Sequence, residues 1–539
     1  MNGLRPAHNL VLSSRLWWTA LPALGMLLVW AVLWWPFLLD DAYISFQYAR
    51  NLGAGLGPVF NPGERVEGFS SPAWVAVLAL AGRAGIPEPL AARVLDVTAA
   101  VLLVLQLYRA LLRSGCDRRI AGAACLVLAS LPSLHSYLAS GMETLPYALA
   151  LFVVVTLAAA EPGPAKEAGL GLALIAVATL RPEGPILAAG LSVAVLLESR
   201  TRSRWITLGA VWAVLVALLL ARYEYYGAWV SNTAAVKSPP FLRLVEAGDA
   251  RSFLAASARA FRRNFLPAGA ELGGLLLPLF TVLALRGLMR DAARVRALQI
   301  LAGGAVIVAL KPADWMPGAR FALPYYPAAL FLMALGVQRL WADAAAARPP
   351  FRWALNVALG STLAVALGLA TGTSFERLLG HHRGMSDPPL RAQQQYLTIG
   401  RWLADRASTG ESVLAYEVGA LGYGSRLPVL DHEGLLHAEI AQVIRRAGEY
   451  GAVRTGRDPV AMSRVVAICA EQRPDWFLVR SRSGRELRVG EPVPSEAAVE
   501  PIQRAMLEAF GTSMTLAAVF PLVADTASAD CYLMLERSR

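Results

Sequence analysis

The stretch "SPAWVAVLALAGRA", residues 71–84, is apolar enough to enter a bilayer and short for crossing one. A helix of that length reaches about 21 Å, against a hydrocarbon core of about 30 Å. Whether it crosses decides which side of a membrane every later segment occupies. That a membrane is involved follows from composition. Of 539 residues, 56% are hydrophobic and 17% charged, too apolar and too sparsely charged for a soluble chain.

Apolar runs at 16–39, 88–112, 119–138, 143–160, 168–180, 184–198, 204–226, 268–286, 294–310, 321–341 and 352–370 read as spans. Beyond residue 371 the composition becomes that of a soluble domain. The expected organisation is therefore a membrane domain over 1–371 and a soluble α/β domain over 372–539.

Basic residues settle the reading of 71–84. If it lies on the membrane without crossing, the arginine-rich short loops fall on one side. These hold Arg109, Arg113, Arg118 and Arg119; Lys166; Arg200, Arg202 and Arg204; Arg286, Arg290, Arg294 and Arg296; and Arg339, Arg348 and Arg352. Cytoplasmic loops carry such residues. If 71–84 crossed, those clusters would face outward. The expectation is an α-helical polytopic protein of about eleven spans, N-terminus inside, with a long first outer loop over 40–87 and the soluble domain outside the cytoplasm. The basic outer loop 240–267 runs against the rule and reads as an amphipathic helix on the outer surface. The net charge of +11 thus sets topology and does not mark nucleic-acid binding. The first apolar run is long enough to span and lacks a signal-peptide cleavage pattern.

This topology gathers the unusual polar residues on the outer face. They are Asp40 and Asp41 in "LDDAYISF", Glu64 and Arg65 in "NPGERVEG", Glu143 in "SGMET", Arg181 and Glu183 in "LRPEG", Asn232 and Lys237 in "SNTAAVKS", and Asp314, Trp315 and Arg320 in "KPADWMPGARF". Charges at membrane depth are unfavourable and pair or serve a function. An Asp before a helix is an N-cap, but a cap needs one Asp. The pair also suits a general base, or ligands for a divalent cation (Mg2+, Mn2+ or Ca2+), at the outer surface. Glu64 and Arg65 are either turn residues or site residues. Arg181 either pairs with Glu183 or binds a phosphate. Lys237 and Arg320 are snorkelling cations or phosphate ligands.

No HExxH, CxxC, Walker A or dinucleotide-loop pattern survives its context. "GALGYG" at 419–424 reads as a turn at a strand end. In the soluble part, helices are expected at 391–407 and 459–472, and strands at "SVLAYEV", "DWFLVRS" and "CYLMLE". The role of "LPVLDHEGLLHAEIA" (427–441) stays open. Cys469 and Cys531 are either buried thiols or, outside the cytoplasm, a pair.

"DDAYISFQYARNLGAGLGPVFNPGERVEGFSSPAW", "SGMET", "LRPEG", "SNTAAVKS" and "DWMPGARFALP" together resemble bacterial GT-C glycosyltransferases, in particular the mycobacterial terminal arabinofuranosyltransferase group. The resemblance implies an inner-membrane enzyme that moves a sugar from a polyprenyl-phosphate donor to an envelope glycan, lipid or protein, with inversion. It implies Asp40 as base with Asp41 assisting, and Arg181, Lys237 and Arg320 at the donor phosphate. Tyr43, Glu64, Arg65, Glu143, Glu183, Asn232, Asp314 and Trp315 would contact substrate. Two other function classes remain: a non-catalytic assembly or regulatory protein on the same scaffold, and a transporter. The latter would show repeats and polar residues in mid-membrane helices, which the sequence lacks.

Overall fold

The computed structural model describes residues 18–538 apart from 199–200, 238–247, 249, 252–253, 256, 260–261, 263–291, 311–315, 317–318, 346–348, 384–387, 448–450, 482–486 and 522–530. The chain begins with α1 (Leu21–Trp34), which carries no charge. After a short extended link comes α2 (Asp40–Gly53), with both aspartates in its first turn and Arg50 in its last. Then follows α3 (Pro72–Arg83), packed on α2. At 12 residues, α3 is about 18 Å long, well short of a span, and it leaves Val77 and Leu80 exposed.

Helices α4 (Glu88–Arg113), α5 (Arg118–Ser130), α6 (Pro132–Tyr137), α7 (Thr144–Ala158), α8 (Pro164–Leu180), α9 (Gly184–Glu198) and α10 (Arg202–Tyr226) continue the helical domain. α4 and α10 are each long and apolar enough to cross a membrane. The run expected as one span over 119–138 is broken: Pro132 offers no N–H, so α5 ends at Ser130 and α6 restarts as a short turn of helix. Beyond α11 (Asn232–Lys237) lie α12 (Ala292–Leu310), a 3-10 turn at Leu323–Tyr325, and α13 (Tyr326–Ala345). The expected span 268–286 lies outside the described residues.

Buried cations hold the end of the helical domain where the basic loops cluster. Arg204 pairs with Glu167 at 2.9 Å. It also donates to the carbonyl oxygens of Ala158, the last residue of α7, and of Ala160 just beyond it, where carbonyls lack intrahelical donors. Arg296 donates to Ala194 O at 2.6 Å, tying α12 to α9.

The expected domain boundary at 371/372 falls inside one helix. α14 (Pro349–Arg383) runs for 35 residues, about 52 Å, so the last apolar run passes without a break into the approach to the soluble part. There, α15 (Pro388–Ala404), α16 (Gly419–Ser425), α17 (Ala438–Ala447), α18 (Pro459–Glu471) and α19 (Pro501–Phe510) surround a five-stranded mixed sheet. Its strands are β1 (Val413–Ala415), β2 (Val429–Asp431), β3 (Trp476–Ser481), β4 (Met514–Pro521) and β5 (Cys531–Arg537), in the order β2-β1-β3-β5-β4. β1 is parallel to β2 and β3, while β5 is antiparallel to β3 and β4.

The expected helices and the three expected strands are present. "GALGYG" corrects its reading as a turn: it forms α16, entered from β1 and closed by Arg426 in the left-handed conformation at φ 60°. All four cysteines are buried free thiols, so Cys469 and Cys531 do not pair. Burial pushes the Cys469 thiol up to about 12, beyond easy ionisation.

Candidate functional site

Asp40, the first residue of α2, turns its carboxylate away from the membrane domain and into the soluble domain. It is 1% exposed. Its Oδ2 accepts the Gly419 N–H at 3.1 Å and its Oδ1 accepts the Ala420 N–H at 2.7 Å. Those are orphan donors at the start of α16, so Asp40 caps a helix 380 positions away. Only glycine fits opposite it: a Cβ on Gly419 would lie 2.0 Å from the Asp40 carbonyl oxygen. Burial pushes the Asp40 carboxyl up to about 7; the Ala420 N–H opposes this, and the charge of Asp41 adds to it.

Asp41 points elsewhere. One residue further round the helix, its side chain is 18% exposed, 3.8 Å from Arg320 Nη1 and 4.0 Å from Lys237 Nζ. Lys237 ends α11, which is clamped by Thr233 donating to Gly68 O (2.7 Å) and Asn232 donating to Gly434 O (3.3 Å). Arg320 follows Ala319, a non-glycine residue at φ 47°. Such strain gathers at working sites. The Phe321 ring then lies between two guanidiniums, 4.8 Å from that of Arg320 and 5.5 Å from that of Arg181. Arg181 is buried and pairs with Glu183 at 2.8 Å and Glu143 at 3.5 Å.

Asp41, Lys237, Arg320, Arg181, Glu143 and Glu183 therefore form one contiguous group drawn from five loops. The remaining expected residues are placed otherwise. Glu64 and Arg65 are exposed turn residues, Glu64 accepting from Asn61 and Arg65 lying over the Tyr225 ring. Tyr43 packs between Phe46 and Tyr423 and serves the contact between domains. Asn232 holds the β2–α17 loop. Asp314 and Trp315 lie outside the described residues, as does most of the segment 240–267 expected as an outer loop.

Three acidic residues escaped the sequence reading. Glu417, just before α16, has its carboxyl held well above the usual range by burial and by Asp40 and Asp41. Asp431, at the end of β2, accepts the Glu433 and Leu436 N–H groups at 2.7 and 3.0 Å. Asp96, fully buried in α4, accepts the Gly141 N–H at 3.0 Å and so fixes the "SGMET" turn. An ionisable residue inside an apolar 26-residue helix was the available signal for Asp96. Beside Asp431, His432 is buried, and burial with the nearby Arg454 holds it down to about 3, hence neutral.

The paired carboxylates do not suit a divalent cation. Asp40 spends both oxygens on backbone N–H groups, and Asp41 faces two cations, which would repel a third. Among the described residues, no three His, Cys, Asp or Glu side chains converge as a metal site.

The chain is similar to a family model, to one sequence relative and to solved structures. Residues 387–532 match a family described as Domain of unknown function (DUF8728). Over 239 residues the chain is 33% identical to the terminal beta-(1->2)-arabinofuranosyltransferase of Mycobacterium tuberculosis; the match covers 41% of this chain and 38% of that protein. The chain thus spans about two fifths of the length of that relative. In fold it is similar to ArnT from Cupriavidus metallidurans bound to undecaprenyl phosphate, with a TM-score of 0.52 at 15% identity over 96% of this chain and 98% of that one. Against ArnT in the apo state the TM-score is 0.54 at 13% identity, covering 97% and 98%.

Proposed function

We propose that this chain, which has the fold of the GT-C polytopic membrane proteins, is a glycosyltransferase that uses a polyprenyl-phosphate sugar at the outer face of the membrane. The observation that carries the reading is Asp41: one carboxylate, partly exposed, beside two cations from separate loops. The similarities to an arabinofuranosyltransferase and to a protein crystallised with undecaprenyl phosphate support it. The acceptor is an envelope glycan, lipid or protein.

The chemistry assigns roles to these groups. The acceptor hydroxyl attacks the anomeric carbon from the face opposite the phosphate. As the C–O bond to the acceptor forms, the bond to the phosphate oxygen breaks, and the configuration inverts. The hydroxyl proton passes to the Asp41 carboxylate. The electron pair leaves on the polyprenyl phosphate, whose growing charge Arg320 and Lys237 stabilise. Contacts of 3.8 and 4.0 Å to Asp41 are looser than hydrogen bonds. Arg181 already faces two glutamates, so it supports Arg320 through Phe321 and is not itself the phosphate ligand. Asp40, both oxygens engaged, positions Asp41 and the soluble domain.

The test is turnover by the full chain in nanodiscs, supplied with polyprenyl-phosphate pentoses and hexoses and an envelope extract as acceptor. Release of polyprenyl phosphate that depends on acceptor is the expected result. Absence of release with every donor would overturn the reading.

A further inference from the structure

A second polar recess lies across α2 from the Asp41 group. Positions 41 and 50 are nine residues apart on α2, about 900° of rotation, which places them on opposite faces. Arg50 opens into a recess of about 670 Å3 between α2, α15 and α16, a size typical of ligand sites. Three arginines line it, Arg50, Arg401 and Arg426, and no carboxylate does.

Arg50 is held in place. It donates to Tyr423 O at 3.0 Å, bonds Gln47, and stacks 4.5 Å over the Tyr423 ring. Arg426 is presented by the left-handed C-cap of α16, its own N–H bonded to Gly422 O at 3.0 Å. Arg401 projects, exposed, from α15. Gathering like charges around a recess is unfavourable until an anion enters it. Guanidinium forks bind phosphate oxygens in bidentate fashion. Ser408 and Thr409 on the same wall add hydroxyl donors.

The position of the recess favours a lipid as the source of the phosphate. Tyr423, on its wall, donates its hydroxyl to Glu88 at 3.0 Å, and Glu88 begins the apolar helix α4. On either side of Glu88, Ile86 and Leu90 are 45% and 42% exposed, a surface suited to acyl chains. The recess therefore opens at the end of a span, where headgroups lie.

We propose that the recess formed by Arg50, Arg401 and Arg426 binds the phosphate of an anionic lipid headgroup, separately from the Asp41 group. The binding is independent of any transfer reaction, so its test does not use activity. The full chain in detergent is titrated with phosphatidylglycerol, phosphatidylcholine or inorganic pyrophosphate and followed by native mass spectrometry and thermal unfolding. The comparison is the double variant Arg401→Gln, Arg426→Asn, in which asparagine tolerates the left-handed backbone. The expected result is retention of phosphatidylglycerol over phosphatidylcholine that drops about tenfold in the variant, a change of about 1.4 kcal/mol. Pyrophosphate stabilisation lost in the variant, without preference between the lipids, would support the phosphate site and make its occupant a soluble one. Equal retention of phosphatidylglycerol by wild type and variant, or no response to either phosphate source, would overturn the proposal. Should the double variant not fold, Arg401→Gln alone, at an exposed helix position, gives the same reading.

Discussion

Asp40 accepts the Ala420 N–H at 2.7 Å, so the first residue of α2 also caps a helix 380 positions further along the chain. This separates the two adjacent aspartates by task. The separation predicts opposite phenotypes. Asp41→Asn removes the proposed base and should lower kcat by about 10²–10⁴ while shifting stability by no more than about 0.5 kcal/mol. Asp40→Asn should cost stability first, because an amide turns an NH2 toward a backbone N–H and leaves a buried donor without its acceptor, about 1–3 kcal/mol. Thermal unfolding and steady-state rates on both variants check the split. Full activity in Asp41→Asn would return the base role to another group.

Asp40 also predicts a pH dependence of stability. Its carboxyl titrates near 7 in the fold against 3.8 for the free group. Between those values the native state holds more protons than the unfolded one, so stability falls as pH rises through that window and is level above it. Asp40→Asn lacks this titration. The stability gap between wild type and variant should therefore be widest near pH 5 and narrow towards pH 8. Unfolding temperatures of both proteins across that range provide the measurement; a gap that widens with pH would contradict the assignment.

The close approach at Gly419 gives a steric prediction. Gly419→Ala places a Cβ 2.0 Å from the Asp40 carbonyl oxygen, which backbone cannot absorb without moving α16 away from α2. Both capping hydrogen bonds would lengthen, and the apparent unfolding temperature should drop by several degrees with loss of activity. Gly190→Ala is the control. Nothing lies within 4 Å of its added methyl in α9, and alanine favours helix, so it should be neutral or stabilising.

Arg181 distinguishes a structural ion pair from a phosphate ligand. Arg181→Met leaves Glu183 and Glu143 without their buried cation, at about 3–5 kcal/mol. Adding Glu143→Gln and Glu183→Gln should recover part of that loss. A phosphate ligand would instead raise KM for the donor with little change in unfolding temperature and no recovery in the triple variant.

Much of this was legible from sequence because the signals were local. The apolar runs marked the helical part, where α4 and α10 are long and apolar enough to cross a membrane. The punctuated polar motifs marked Asp41, Arg181, Lys237 and Arg320, which the fold gathers. What was not legible was the direction of neighbouring side chains. Asp40 and Asp41 are equivalent in a string of letters, and only the approach of Gly419 and Ala420 from the far end of the chain distinguishes the buried cap from its partly exposed neighbour. The same holds for "GALGYG", whose glycines permit a turn but here provide a helix start that tolerates close backbone contact. Glu417, Asp431 and Arg454 carried no motif: Glu417 takes its environment from Asp40 and Asp41, and Asp431 and Arg454 take theirs from contacts distributed over separate segments of the C-terminal part.

That docking has a second anchor, which yields the last prediction. Asn61, in the "NPGERVEG" turn, is 5% exposed. Its amide pairs with the backbone of Val429 in both directions: Nδ2 donates to Val429 O at 3.0 Å, and Oδ1 accepts the Val429 N–H at 2.9 Å. A side chain thus extends the edge of β2, the outermost strand of the sheet, and covers an edge that would otherwise be open. Asn61→Ala removes both partners and should destabilise by about 2–4 kcal/mol, two buried groups losing their bonds at about 1–2 kcal/mol each. Asn61→Asp keeps the acceptor but sets a carboxylate against the Val429 carbonyl, and should be no better than alanine at neutral pH. Hydrogen exchange at the Val429 amide reads the contact directly. Protection there should fall in both variants while the amides of β5, on the other side of the sheet, keep theirs. Loss of protection across the whole sheet would mean that the soluble domain unfolds as one unit and that Asn61 does not act on its edge alone.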